Sequence, residues 1–447
     1  MARKRIKYEN YLADLLQYQE ALDDVTALSD LRVQGKESVE EIIFPQKWFE
    51  DWKYTDLKPL TKHSFHKADA QKAEASVFNL DDYTLEESEG TTIVFVNGFY
   101  SSEMSDISQL PDGVELGSLA EFSEKYPHFI EEHLNNYIPE SEHKDAFIEF
   151  SAALAEQGYC LNIADGVTVR SPIHVLNLYT DVEESFFTTN RSLVIAGKDS
   201  EATIIDDHVG LTDNRYFTLP VTEFSLSENA HIKHVKVQND GPNAVHIARP
   251  IAHVASGANY QSYTFAFGAK LFRNDPHIIQ MGEEVSFTLD GLVLINGDQI
   301  SDTHSTMDHK FAFAESHQLH KVVVDEGAHS IFNGKIFVRP HAQKIDSFQE
   351  NRNLMLSRDS TVDTKPQLEI FADDVKCSHG ATVGQLDIDE LFYLRSRGLN
   401  ESQAKQMLTF AFALDIVQNI EISSLKSRLE KSIEEYTSAT HKLKQPA

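Results

Sequence analysis

Hydrophobic and polar positions follow two different patterns along this chain. Before residue 158 and after residue 376, apolar residues tend to recur three or four positions apart, as they do on one face of an α-helix. Between these regions, short apolar runs follow one another with polar breaks and without a long amphipathic helix. The pattern therefore predicts a helical or mixed region at 1–158, a β-rich region at 159–375 and a helical region at 376–447.

The N-terminal region contains predicted helices at 6–24, 119–134 and 144–157, and a predicted strand at 91–96. Residues 44–60 hold both tryptophans, Trp48 and Trp52, between two prolines. We interpret this segment as a hydrophobic clamp that packs the N-terminal part of the chain onto the body, in preference to a ligand site.

Small polar corners precede several of the central strands, and their spacing is nearly regular. Corners that begin at Asp199, Ser227, Ser256 and Gly282 are 28, 29 and 26 residues apart, whereas the next similar corner, at Asp325, comes 43 residues later. A β-sandwich or barrel would also produce short strands. The period favours a parallel β-solenoid, in which terminal helical segments could cap the open strand edges.

The C-terminal region is predicted to form helices at 387–397, 401–419 and 423–436. The first ends at Gly398, and Asn400 with Gln403 forms a capping box at the start of the second. In the third helix, Leu425, Leu429 and Ile433 recur at four-residue spacing. One such apolar face should pack internally, and a remaining exposed face would suit a partner protein.

Composition and charge narrow the class of protein. The 447 residues include 40 basic and 70 acidic side chains, a net charge of −30, which makes nucleic-acid binding a poor hypothesis. Cys160 and Cys377 are the only cysteines, so a disulfide framework is excluded and a reducing compartment is favoured. Without an apolar signal segment at the start or a run long enough for a membrane span, the sequence predicts a cytosolic protein that does not enter the membrane.

Several catalytic chemistries lack their motifs. A phosphate-binding Gly-x-x-x-x-Gly-Lys-Ser/Thr loop is absent, as are Gly-x-Gly-x-x-Gly and Gly-x-Ser-x-Gly. Cys160 lies in an apolar strand and is predicted to be a core residue. The spacing of six histidines between His304 and His341 matches no standard zinc signature. A glycoside-cleaving solenoid would need clustered carboxylates, for which Asp302, Asp308 and Asp325 are weak candidates.

The most specific chemical feature is the pair Cys377 and His379. Residues two apart on a strand project from the same face, and a thiolate beside an imidazole is half of a site for iron, zinc or copper. Lys376 and a turn at Gly380 could favour the thiolate. Two ligands do not hold a metal ion alone, so such a site needs a second chain, inorganic sulfide or transient ligands.

Five segments carry a family resemblance. They are Trp-Lys-Tyr-Thr-Asp-Leu at 52–57, Gln-Leu-His-Lys-Val at 318–322, Ile-Phe-Asn-Gly-Lys at 331–335, Asp-Thr-Lys-Pro-Gln-Leu-Glu-Ile-Phe-Ala-Asp-Asp-Val-Lys-Cys-Ser-His-Gly-Ala-Thr-Val-Gly-Gln-Leu at 363–386 and Leu-Phe-Tyr-Leu-Arg-Ser-Arg-Gly-Leu at 391–399. Together they resemble the SufB/SufD family of the Suf iron–sulfur cluster assembly system. The Cys-Ser-His-Gly sequence resembles its SufD branch and not its SufB branch.

The resemblance implies a right-handed parallel β-helix between helical terminal regions. It also implies pairing with a SufB-like paralogue through the β-helix, and docking of a SufC-like ABC ATPase on the C-terminal helices. The family's interface cysteine and histidine, implicated in nascent cluster formation, fall on Cys377 and His379. The docking segment falls on residues 401–420 and on Leu391, Phe392, Tyr393, Leu394, Arg395, Arg397 and Leu399.

On this resemblance the chain is a non-enzymatic scaffold subunit, and ATP hydrolysis belongs to the SufC-like partner. No tightly bound cofactor is expected, only iron or a transient iron–sulfur cluster within the complex, and a reduced flavin there is left open. A homodimer of the isolated chain is also left open. Two alternatives remain at this stage: a purely structural member of the Suf complex, and a β-helix enzyme that acts on carbohydrate.

Overall fold

The structure is a computed structural model that describes residues 11–22, 26–69, 78–139, 144–182 and 184–440. The predicted helix at 6–24 therefore lies partly outside the described residues. The protein is mainly β, with 41% strand and 25% helix, and its centre is a β-solenoid of about seven turns. This confirms the predicted fold class. No described helix is long and apolar enough to cross a membrane.

Strands form two long sheets that face each other across the solenoid interior. In chain order the strands are β1 His66–Lys67, β2 Thr92–Val96, β3 Phe99–Tyr100, β4 Val114–Ser118, β5 Tyr159–Ile163, β6 Ile173–Tyr179, β7 Phe186–Ala196, β8 Glu201–Gly210, β9 Tyr216–Leu226, β10 His231–Asn239, β11 Val245–Val254, β12 Asn259–Ala266, β13 Leu271–Asn274, β14 His277–Gln280, β15 Val285–Ile295, β16 Ile300–His309, β17 Ala314–Val324, β18 His329–Val338, β19 Ile345–Met355, β20 Thr361–Ile370 and β21 Lys376–Gly384. Sheet A has the order β20-β18-β16-β13-β11-β9-β7-β5-β4; off this path, β14 pairs with β11 and β16, and β1 pairs with β7. Sheet B has the order β21-β19-β17-β15-β12-β10-β8-β6-β2-β3.

Successive coils place residues about thirty positions apart side by side. In sheet B, for example, His231 pairs with Glu201 on one side and with Asn259 on the other. Each coil turns two corners, because the chain passes from sheet A to sheet B and back. The corners from Asp199 to Gly282 all lead from sheet A to sheet B. The next corner of this kind, 310–313, carries apolar residues and was not recognised, whereas Asp325 lies at a corner that leads from sheet B to sheet A, so the predicted period broke after Gly282.

Helices lie at both ends of the chain. In chain order they are α1 Tyr11–Leu15, α2 Thr26–Glu41, α3 Lys58–Thr61, α4 Leu119–Lys125, α5 Pro127–His133, α6 Ala146–Ala153, α7 Ile388–Ser396, α8 Glu401–Val417 and α9 Ser423–Thr440, with single 3₁₀ turns at Leu16–Ala21, Glu50–Trp52, Leu80–Asp82 and Glu86–Ser88. The predicted helical stretch at 119–134 is two helices, because Pro127 lacks the backbone N–H that a continuous helix requires. The predicted capping box of Asn400 and Gln403 is present.

The two ends of the solenoid differ. At the first coil, β4 and β3 add antiparallel strands, and helices α2, α4 and α5 pack beside them through Leu28, Leu119, Phe122 and Ile130. At the last coil, contrary to the expectation from the sequence, the C-terminal helices do not cap the strand edges. Helices α8 and α9 lie across the outer face of sheet B instead, with Leu425, Leu429 and Ile433 buried against it as their four-residue spacing predicts.

The tryptophan segment packs on the outer face of sheet A, as the clamp interpretation predicts. Trp52 is 7% exposed, and its ring centroid lies 3.9 Å from the guanidinium carbon of buried Arg273. Arg273 forms a 2.5 Å ion pair with Asp302, which also accepts a hydrogen bond from the Thr55 hydroxyl. Trp48, by contrast, is 63% exposed and takes no part in this packing.

We predict that Leu429→Ala lowers the free energy of unfolding by about 2–5 kcal/mol, because it leaves a cavity between α9 and sheet B. Met407→Ala on α8 is the matched control: its side chain is 55% exposed, so its loss should change stability by less than about 0.5 kcal/mol. Chemical denaturation followed by circular dichroism measures both. Equal, small effects of the two variants would contradict the packing of α9 on the sheet.

Candidate functional site

The C-terminal end of the solenoid presents two free strand edges. Strand β20 pairs with β18 and strand β21 pairs with β19, and among the described residues neither has a neighbour on its other side. Both are long, ten and nine residues, and most of their side chains are exposed or half-buried. An uncovered edge of this length offers unpaired N–H and C=O groups to another strand.

Cys377 and His379 lie on this edge, in β21. The predicted boundary at 375/376 therefore precedes the last strand of the solenoid, and the first C-terminal helix begins only at Ile388. Cys377 is half-buried and packs against the apolar cluster of the solenoid interior. His379, two positions along the same strand, shares that inward side and is exposed because no further coil covers it.

The surroundings of Cys377 favour its thiol form. Burial raises the pKa of the Cys377 thiol, and the negative charge of Asp346 on the neighbouring strand raises it further. The expectation that Lys376 and a turn at Gly380 favour the thiolate was therefore wrong for the isolated chain. Gly380 is part of the extended strand and makes no turn.

Polar side chains line the interior directly beneath the pair. Ser347 pairs in register with Cys377, and Gln349 pairs with His379. The Ser347 hydroxyl lies 2.6 Å from the hydroxyl of Ser316 in the preceding coil. Ser347 and Gln349 were not among the predicted site residues. They lie one coil, thirty residues, before Cys377 and His379, so extending the coil period to the last coil would have identified them.

A complete metal site is absent from the described part of this chain, since no group of three or more His, Cys, Asp or Glu side chains there could hold an ion. The histidines from His304 to His341 are dispersed: His309 lies between Gln280 and Ser316, and buried His320 stacks on Phe332. Cys160 is fully buried, as predicted for a core residue.

The candidate carboxylates are likewise separate. Asp302 is buried against Arg273, and Asp308 forms a bidentate ion pair with Arg339. Burial opposes ionisation of Asp302, but Arg273 and His304 together hold its pKa well below the usual range. This carboxyl group is therefore not the raised-pKa acid that glycoside cleavage requires.

Helix α7 and the loop after it, which contain the predicted docking residues, are largely uncovered. No residue of α7 is buried, and the exposed fractions of Ile388, Phe392 and Tyr393 are 79%, 73% and 55%. Leu391, Leu394 and Leu399 are half-buried, while Arg395 and Arg397 are exposed. Large apolar side chains so exposed on one short helix form a surface suited to a protein partner.

Two family models match this chain. Residues 179–412 match the SufBD core domain of SUF-system iron–sulfur cluster assembly, and residues 7–175 match the SufBD protein N-terminal region. The core-domain match includes the free edge, the Cys377–His379 pair and helix α7.

Curated relatives match over most of their length. An iron–sulfur cluster assembly SufBD family protein of Synechocystis is 34% identical over 398 residues, which cover 87% of this chain and 86% of the relative. The iron–sulfur cluster assembly protein SufD of Escherichia coli is 31% identical over 405 residues, 89% of this chain and 90% of the relative. SufD of Bacillus subtilis is 24% identical over 420 residues, 91% and 93% of the two chains.

The fold is a parallel β-solenoid with an open end that carries a cysteine–histidine pair. The chain belongs to the SufB/SufD family of iron–sulfur cluster assembly proteins.

The raised pKa of Cys377 generates a prediction about its reactivity. Alkylation of Cys377 by iodoacetamide should have its midpoint at a higher pH than an unperturbed thiol, because burial and Asp346 disfavour the thiolate. Asp346→Asn should move the midpoint to lower pH, since it removes the negative charge and leaves the burial. Mass spectrometry measures the labelling, and Cys377→Ser controls for buried Cys160. A midpoint at or below that of a free thiol would contradict the electrostatic account.

Proposed function

We propose that this chain is the SufD-like subunit of a Suf iron–sulfur cluster assembly complex. It pairs with a SufB-like paralogue through the free edge of β20 and β21, and it docks a SufC-like ATPase on its C-terminal helices. Cys377 and His379 contribute to the handling of iron or sulfide at the paired edge. The observation that carries the proposal is the position of this pair on the uncovered end of the solenoid.

The strand edge supports pairing with a related chain. Long unpaired edges are a liability that proteins normally cover or charge. A paralogue with the same solenoid would present a matching edge, and its strands could continue both sheets. The same geometry would allow a homodimer of the isolated chain, in which two copies of this edge meet.

The ligand count supports a site shared between chains. Cys377 and His379 supply one soft and one borderline donor, whereas tetrahedral iron or zinc sites need four ligands. The described part of this chain offers no third ligand beside them. Donors from the partner, or inorganic sulfide, would complete the coordination of the iron that the complex assembles into its product.

The exposed helix supports docking of a second partner on a different surface. Ile388 and Phe392 lie one helical turn apart on α7, so their side chains share a face. Helices α8 and α9 are anchored on sheet B, for example by the 2.7 Å ion pair of Lys321 and Asp415. A partner bound at α7 would therefore transmit its movement to the solenoid through α8 and α9, which are packed on sheet B.

The alternatives differ in what they require of these residues. A carbohydrate-active solenoid needs gathered carboxylates, and Asp302 and Asp308 are instead engaged by arginines. A purely structural member of the complex would need the edge and the helix but not the thiol or the imidazole. The lack of a catalytic role and a cytosolic location stay predictions from the sequence, and a reduced flavin in the complex stays an open alternative.

Replacing Cys377 or His379 by alanine should reduce the rate of cluster formation by the complex at least about tenfold, on the scale of lost metal-site interactions. A strand edge pairs through its backbone N–H and C=O groups, which both variants keep, so subunit assembly should be unchanged. Cluster formation is followed by absorbance on anaerobic reconstitution, and assembly by native mass spectrometry. Ser378→Ala, between them on the outward side, is the matched control. Normal cluster formation by both variants would favour the purely structural role.

The double variant Ile388→Ala, Phe392→Ala should weaken binding of the SufC-like ATPase by at least about tenfold, because it removes two exposed apolar anchors. The stability of the chain should not change, since neither side chain is buried. Isothermal titration calorimetry measures the affinity. Val33→Ala on α2, exposed by 55%, is the control. Unchanged affinity in the double variant would remove α7 from the docking surface.

A further inference from the structure

We infer that Gln349 is a positioning residue for His379: its side-chain carbonyl, which has no donor in the structure, takes the N–H of one imidazole nitrogen when the exposed His379 ring turns toward it, and so leaves the other nitrogen free to bind a metal ion. The inference rests on the proposed function of His379 and adds a residue that the sequence analysis missed. Its basis is a directed chain of side-chain amides in the solenoid interior.

The chain of amides runs along sheet B toward the open end. The Gln318 amide nitrogen donates to the Ser305 hydroxyl at 2.8 Å, and the Gln349 amide nitrogen donates to the Gln318 carbonyl oxygen at 2.8 Å. The Gln349 amide thus donates to the previous coil, and the Gln318 amide donates across the interior to β16 in sheet A. The last amide in the chain, that of Gln349, is left with its carbonyl oxygen Oε1 as an acceptor.

This carbonyl oxygen is buried and has no partner within the described structure. Gln349 is fully buried, and its Oε1 makes no hydrogen bond. A buried acceptor without a donor is unfavourable, so such a group calls for an explanation. The residue that pairs in register with Gln349 on the next strand is His379, whose side chain shares the inward side of β21.

The Gln349 amide has close neighbours on two sides. A Cβ atom on Gly334, across the interior in sheet A, would lie 2.4 Å from the Gln349 amide nitrogen, so the amide packs closely on this glycine. The amide therefore lies between Gly334 and the Gln318 carbonyl oxygen, to which it donates. A fixed carbonyl next to a histidine selects the tautomer, and metal-binding histidines commonly donate their second N–H to such an acceptor.

The test reads the tautomer of His379 in the isolated full-length chain, without partner or metal. Long-range ¹H–¹⁵N correlation spectra of the ¹⁵N-histidine protein report it for each imidazole, and His379→Gln assigns the signal among twenty histidines. In the unmodified chain, we expect one nitrogen of neutral His379 at a protonated frequency and the other at an unprotonated one. In Gln349→Met the two frequencies should move toward each other, because both tautomers become populated.

Three further variants separate positioning from general disruption of the core. Gln349→Glu retains an acceptor oxygen and should restore the single tautomer, since Gln318 can turn its amide nitrogen toward the new carboxylate. Gln318→Met should also mix the tautomers, because it releases the Gln349 amide without touching His379. Gln280→Met is the matched control: Gln280 is fully buried and bonds the Gly282 carbonyl, so this change should leave the His379 signal unaltered.

The outcomes are distinguishable from those of the proposed function. A His379 tautomer that is unchanged in Gln349→Met overturns the inference, and so does a Gln280→Met effect as large as that of Gln349→Met. Mixed tautomers in Gln349→Met with rescue by Gln349→Glu support it. If cluster formation by the complex stays normal despite mixed tautomers, the positioning role stands and the proposed chemical role of His379 fails.

Discussion

The hydrogen-bond ladder between parallel strands is the constraint on which the rest of this structure depends. The strands of each coil form backbone hydrogen bonds with the strands of the coil before it, so only the first and last coils have strand edges that still need partners. At the first coil, two antiparallel strands pair with these edges and a group of helices packs beside them. At the last coil, within the described residues, no element covers the edges of β20 and β21. The candidate site lies at the end where the ladder is incomplete.

The interior of the solenoid mixes apolar and polar side chains along its length. In the earlier coils, apolar Ile204, Phe224 and Ile232 lie beside the buried ion pair of Lys236 and Asp206. In the last coils buried serine and glutamine side chains, among them Ser347 and Gln349, form hydrogen bonds from coil to coil. Hydrogen bonds have direction, whereas apolar packing does not, so this part of the interior can orient the side chains at the open edge.

Much of the fold could be predicted from the sequence, because its main signals are local. The strand runs and the corner spacing predicted a solenoid, and the four-residue spacing of Leu425, Leu429 and Ile433 predicted the face that α9 buries. The break in the period after Gly282 could not be interpreted, since two kinds of corner alternate and only some are polar. The path of the C-terminal helices was also beyond prediction, because an apolar face does not specify which surface it covers.

The candidate site was predictable only in part. Cys377 and His379 followed from strand spacing and from the family resemblance. The pKa of Cys377 is raised by burial and further by Asp346, which is thirty-one residues away in the sequence and comes near the thiol because successive coils pair. The unpaired carbonyl of Gln349 is recognised only when Gln318, Gln349 and His379, from three successive coils, are placed side by side. Interactions of this kind require the register between strands, which a sequence pattern does not contain.

Amide hydrogen exchange at the free edge tests the central claim most directly. The chain is measured alone and in the presence of the SufB-like paralogue from the same host, with peptides that cover β20 and β21. The account predicts that backbone amides of these two strands exchange quickly in the isolated monomer and become protected in the complex. A complex that forms while both strands keep their fast exchange would contradict the assignment of this edge as the assembly surface.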